Sequence, residues 1–122
     1  MDSKEQKPLD SQIGMRFSSE DEEKRCYIDL RGDLIKLLYL IEDEQKGTGN
    51  AELFLFGLLV DLASANTLCK NKLTKVLIKI HALADNNYQY KTMTHTQIKR
   101  QIMESRGILD HLIDEKSKKS NK

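Results

Sequence analysis

Between Tyr27 and Ile41 the large apolar residues Tyr27, Leu30, Leu34, Leu37 and Ile41 recur at intervals of 3, 4, 3 and 4, the spacing that aligns side chains on one face of an α-helix. Ile28, Ile35 and Leu38 flank this line and widen it into a stripe. A lone helix gains little stability in water, so the chain must supply other helices to cover that stripe. The remaining composition agrees: the only proline is Pro8, tryptophan is absent, and Leu, Ile, Lys, Glu and Asp dominate the 122 residues, a balance that favours helix over strand. The expected class is all-α, with four to five helices packed as a small helical bundle.

Residues 1–18 hold Pro8, Gly14, several serines and scattered apolar positions. Burial there would not offset the entropy of ordering, so a flexible N-terminal arm is expected, followed by a single helical domain over 19–115. Ser19 with Glu22 forms a capping-box pattern, and Glu20-Asp21-Glu22-Glu23 places acids where a helix N-terminus favours them. The first helix is therefore expected over 19–45. The four acids could also hold a metal or a partner, but the helix terminus explains them more simply.

Gly47-Thr48-Gly49-Asn50 reads as a stop and restart, with Asn50 capping a second helix over 51–66. That helix is apolar nearly all round, which predicts a central position covered on several sides, in a buried hairpin with the first. Its longest apolar run, Leu53 to Val60, is closed by Asp61 and falls well short of the roughly 20 residues of a membrane span, so no span is expected. A third helix over 71–84 would turn Leu73, Val76, Leu77, Ile80 and Leu83 inward and carry Lys72, Lys75 and Lys79 as a basic ridge. Asp85 to Tyr90 reads as a polar loop. A last helical stretch runs from about 94 to 115, and 116–122 would be a basic, flexible tail.

Charge is divided unevenly: residues 1–69 hold 8 Lys/Arg against 14 Asp/Glu, net −6, and residues 70–122 hold 12 against 5, net +7. Either the basic half meets an anionic partner or the two halves attract each other within the fold.

Catalytic signatures are missing from the sequence. Cys26 and Cys69 are each isolated; the two could form one disulfide, but reduced core thiols are the expectation. His81, His95 and His111 lack the spacing of a metal site, no glycine-rich loop opens a helix as phosphate binding requires, and there is no nucleophile elbow. The expectation is a chain that binds and does not catalyse, with no cofactor and no metal. Residues 1–25 contain no apolar leader segment, so a cytoplasmic location is expected.

The segment Met93-Thr94-His95-Thr96-Gln97-Ile98-Lys99-Arg100-Gln101-Ile102-Met103-Glu104-Ser105-Arg106-Gly107-Ile108-Leu109-Asp110-His111-Leu112-Ile113 resembles the helix-turn-helix unit of bacterial transcription regulators. The resemblance implies that Thr94 caps, Ile98 and Ile102 pack, Met103-Glu104 turns, and Leu109 and Leu112 anchor a recognition helix. Ser105, Arg106, Asp110 and His111 would then face the major groove, with Arg106 the base reader, while Thr96, Gln97, Lys99 and Arg100 would lie near phosphates. The sequence departs from that family at Lys99, Met103 and Glu104, where alanine, glycine and a small apolar residue are usual. Ile98, Ile102, Leu109, Leu112 and Ile113 also fit one unbroken amphipathic helix.

Two partners follow. A DNA-binding regulator would use this segment together with the lysine ridge, with the first two helices as a dimerisation platform, and Tyr88 and Tyr90 beside Lys91 offer rings on which bases could stack. A protein-binding bundle is the alternative; in size and helix count the chain is similar to the bacteriocin immunity proteins. A homodimer built on the stripe of the first helix is a third arrangement.

Overall fold

The computed structural model describes residues 17–44 and 50–120, and all their regular structure is helical. Helix α1 spans Glu20–Glu44, α2 Ala51–Leu68, α3 Thr74–Tyr88 and α4 His95–Ser120, with a 3-10 turn at Gln89–Thr92 before α4. The arm expected over 1–18 falls largely outside the described residues, as do Gly47, Thr48 and Gly49 of the expected stop.

Each helix packs on the next and α4 returns to α1, the most extensive contact of all. Pairs along the helices give the directions. Near the start of α1, Glu20 and Glu23 meet Lys116 near the end of α4, Arg31 meets Asp110 midway, and Glu42 meets His95 at the start of α4, so these two run antiparallel. Lys91, just past α3, pairs with Glu52 in the first turn of α2. The arrangement is an up-down-up-down bundle, as short connections favour.

The stripe of α1 is the spine of the core: Tyr27, Leu30, Leu34, Leu37 and Ile41 are all buried, packed with Leu55, Leu62, Leu73, Val76, Ile80, Leu83, Ile98, Ile102 and Leu109. The capping pattern at α1 forms with a shift of one residue. Ser19 Oγ accepts the Glu22 N–H (3.1 Å), while the Glu22 carboxylate accepts the Ser18 N–H (2.8 Å). At α4 the box is complete, Thr94 Oγ1 accepting the Gln97 N–H (3.1 Å) and Gln97 Oε1 accepting the Thr94 N–H (2.9 Å). Asn50 precedes α2 but its side chain makes no capping bond.

The α2–α3 corner is held from a distance. The buried Asn66 side chain accepts the Leu73 N–H (2.7 Å) and donates to Thr74 Oγ1 (3.1 Å), satisfying an otherwise unpaired donor at the start of α3. Regular backbone in α3 ends at Ala84, where the sequence placed its end: Asp85 is extended, and Asn86, Asn87 and Tyr88 take left-handed conformations. Asparagine tolerates that region, but a tyrosine there is unusual.

Two expectations are corrected. Helix α2 is not central: it contacts α1 and α3 and leaves a face outward. Nor does a tail begin at 116, since α4 continues to Ser120 and Lys116 is only 6 % exposed.

Candidate functional site

The outward half of α2 carries Leu53, Phe56 and Val60, respectively 77, 59 and 50 % exposed. Ala63, Ser64 and Thr67 continue the same exposed face. None is charged, although charged residues make up 32 % of the chain. The helix has two charges, Glu52 and Asp61, and no lysine or arginine. Its opposite side, Leu55, Leu58, Leu62 and Ala65, is buried in the core. A helix apolar on both sides but covered on one explains why the sequence carries no directional pattern there. Ala51–Leu68 is also long and apolar enough to cross a membrane by length and composition, and 28 % of it is buried in the bundle.

Beside this face runs a trough between α1 and α2. Its upper part, about 470 Å³, is floored by Leu40, Leu53, Phe54, Gly57 and Leu58. The lower part, about 510 Å³, is floored by Cys26, Leu30, Ala65 and Leu68. Asp33 and Asp61 line both parts and so mark the middle. Burial, reinforced by the negative charges of Asp61 and Asp29, pushes the Asp33 carboxyl above the usual range, and Lys36 only partly opposes this. Lys36 itself lies 5.2 Å from the centre of the Phe54 ring, a cation–π distance. Gly57 opens the floor, because a β-carbon there would meet nothing within 4 Å.

The residues expected to contact DNA are placed differently. Helix α4 passes unbroken through Met103 and Glu104, so the turn of a helix-turn-helix is not formed. Thr96, Lys99, Arg100 and His111 are exposed. Gln97 is engaged in the cap, and Arg106 and Asp110 are half-buried, Asp110 accepting from Arg31 at 2.9 Å. Ser105 is 0 % exposed and donates its hydroxyl to the Gln101 carbonyl at 2.8 Å. Seven of these eight therefore lie toward the outer side of one helix and Ser105 faces the core.

Part of the charge asymmetry is met inside the fold. Lys72, Lys91, His95 and Lys116 from the basic half pair with Glu23, Glu52, Glu42 and Glu20 from the acidic half. Of the lysine ridge, Lys72 is thus engaged, and Lys79 holds Glu104 at 2.9 Å. That hydrogen bond keeps the Glu104 carboxyl below its ordinary value. The tyrosines do not form an open stacking platform: Tyr90 is buried with its hydroxyl donated to Glu44 (2.7 Å), and Tyr88 stands edge-on to it, ring centres 6.3 Å apart.

Among the described residues the histidines stand apart from one another. Each histidine meets a single carboxylate, His81 with Asp85, His95 with Glu42 and His111 with Glu115. Among the described residues no three His, Cys, Asp or Glu side chains gather as a metal site. Both cysteines are free, and burial pushes the Cys26 thiol up to about 11, far from a thiolate at neutral pH. Compared with known proteins, the chain matches no family model, no curated protein and no solved structure.

Sequence reasoning missed the trough because Asp33 and Asp61 belong to different helices. The one available signal was the absence of lysine and arginine from α2 in a highly charged chain.

Proposed function

We propose that this chain is a non-catalytic helical bundle that binds another protein, with the outward face of α2 and the adjoining trough as its docking surface. The observation that carries this reading is the exposed face of α2, with Leu53, Phe56 and Val60 at its apolar end and the charge of Asp61 confined to its edge on the trough. Depletion of charge at the centre of a patch, with large apolar side chains present, is the compositional mark of an interface core. Apolar patches of this kind on a folded protein commonly mark interaction sites. The burial of Leu55, Leu58 and Leu62 on the reverse of the same helix supports a docked, not a detached, α2.

The test is capture with matched baits: the wild-type chain, a Leu53→Ser/Phe56→Ser/Val60→Ser chain, and a Lys99→Ala/Arg100→Ala chain. The reading expects a protein retained by the first and third and lost by the second. Equal retention by all three would refute it.

A second reading, DNA contact by the outer side of α4, is favoured by exposed Lys99 and Arg100, neither of which has an ion pair among the described residues. It expects duplex binding that weakens steeply between roughly 50 and 200 mM salt and is reduced by Lys99→Ala. Absence of binding at the lower salt would remove it.

A further inference from the structure

The trough has a polarity as well as an apolar floor, and that polarity narrows the choice of occupant. Along its two parts stand Glu22, Asp29, Asp33 and Asp61 against Arg25 and Lys36. Asp29, Asp33 and Asp61 form no ion pair among the described residues, and Asp33 and Asp61 sit where the two parts join. Apolar contact is thus available above and below a central pair of carboxylates.

Three occupants can be compared on charge. A second copy seated through α2 would bring Glu52, Asp61 and no cation, setting acid against acid. An anionic lipid surface would meet the same repulsion. A helix with an apolar face and one cation at its centre would meet apolar floor at both ends and a counter-charge in the middle. We propose that the trough between α1 and α2 receives an α-helical segment of a partner protein, apolar along one face and carrying a lysine or arginine near its middle that reaches Asp33 and Asp61. This rests on the protein-docking reading above and assigns the chemistry of the docked element. An amphipathic helix laid in an apolar groove is an established recognition mode. The trough follows the 18 residues of α2, about 27 Å at the rise of an α-helix, so the occupant is a segment of similar length.

The experiment is a selection from displayed 18-residue amphipathic helices whose apolar positions and central position are randomised, run against the full wild-type chain and against Asp33→Asn/Asp61→Asn and Gly57→Leu chains. At the central position Lys and Arg are expected to be enriched at least tenfold over Asp and Glu with the wild type, and not with the double asparagine chain. Gly57→Leu adds a side chain where a β-carbon meets nothing within 4 Å and is expected to weaken the selected peptides at least tenfold. Selection of peptides without a central cation, a cation preference that survives Asp33→Asn/Asp61→Asn, or no selection at all would overturn the proposal. So would sedimentation of the chain alone as a dimer that Gly57→Leu dissociates, or binding to phosphatidylglycerol vesicles in preference to the peptides. The capture experiment with the α2 serine chain reads the docking reading separately, so a cation-blind partner would overturn this inference while leaving that one standing.

Discussion

The end of the bundle where α1 begins and α4 finishes, and the outward face of α2, treat their difficult residues in opposite ways. At the first, the mostly buried ammonium of Lys116 is held by Glu23 at 2.8 Å and Glu20 at 3.2 Å, and Glu23 also meets Lys72 and the Tyr27 hydroxyl. A charge withdrawn from water is kept because partners surround it. At the second, Leu53, Phe56 and Val60 are each half or more exposed among the described residues. The fold resolves its polar strain internally and leaves an apolar surplus outside, which is why we place function at α2 and architecture at the α1–α4 end.

The contrast can be broken most forcefully at Lys116. Lys116→Ala leaves Glu23 short of its nearest cation in a mostly buried position, and a loss of about 3 kcal/mol in unfolding free energy is expected from urea titration. Partner capture at temperatures where the variant is folded should be unchanged.

Within α2 the comparison sharpens to two faces of one helix. Leu62 is fully buried, so Leu62→Ala should cost about 3 kcal/mol. Leu53→Ala, on the other side, should change stability by about 0.5 kcal/mol or less. Equal costs would mean that the outward face is covered in solution.

Acid probes the charged end through Glu23. Burial pushes the Glu23 carboxyl up, but hydrogen bonds from Lys116 and Tyr27 and the charge of Lys72 outweigh it and hold the group below its ordinary value. A carboxyl depressed in the folded state stabilises above its unfolded value, about 4.3, and that contribution fades as pH falls through the folded value. For Lys116, burial opposes the charge, yet the hydrogen bonds to Glu23 and Glu20 prevail and raise its value. Its contribution is present below about 10.4 and lost as pH rises through the folded value. Unfolding free energy should therefore fall below about pH 4, with a shallower fall in Glu23→Gln.

One small effect is a gain. Gly57 sits in the helical part of the trough with open space at its β-position, so Gly57→Ala should stabilise by about 1 kcal/mol. A loss would show that the trough is narrower than described.

What the sequence revealed follows from how local each signal was. The stripe from Tyr27 to Ile41, the Thr94 cap and the end of α3 at Ala84 are written in neighbouring residues, and the structure has them where periodicity and capping chemistry put them. The facing of α2 was not legible, because a helix apolar all round has no preferred side until α1 and α3 choose one. The grip of Asn66 on the Leu73 N–H, the Lys116 cluster and the meeting of Asp33 with Asp61 join residues far apart in the chain, and no period or motif announces them. On α4 the same apolar spacing suited a broken or an unbroken helix, and the packing of Ile98, Ile102 and Leu109 on the core accompanies the unbroken one.

The most direct test of the central claim is the unfolding free energy of the dilute Leu53→Ser/Phe56→Ser/Val60→Ser chain against wild type. If the α2 face is a surface held open for a partner, the two agree to within about 1 kcal/mol. A loss of several kcal/mol would show that these side chains support the fold, and the docking surface would have to be sought elsewhere.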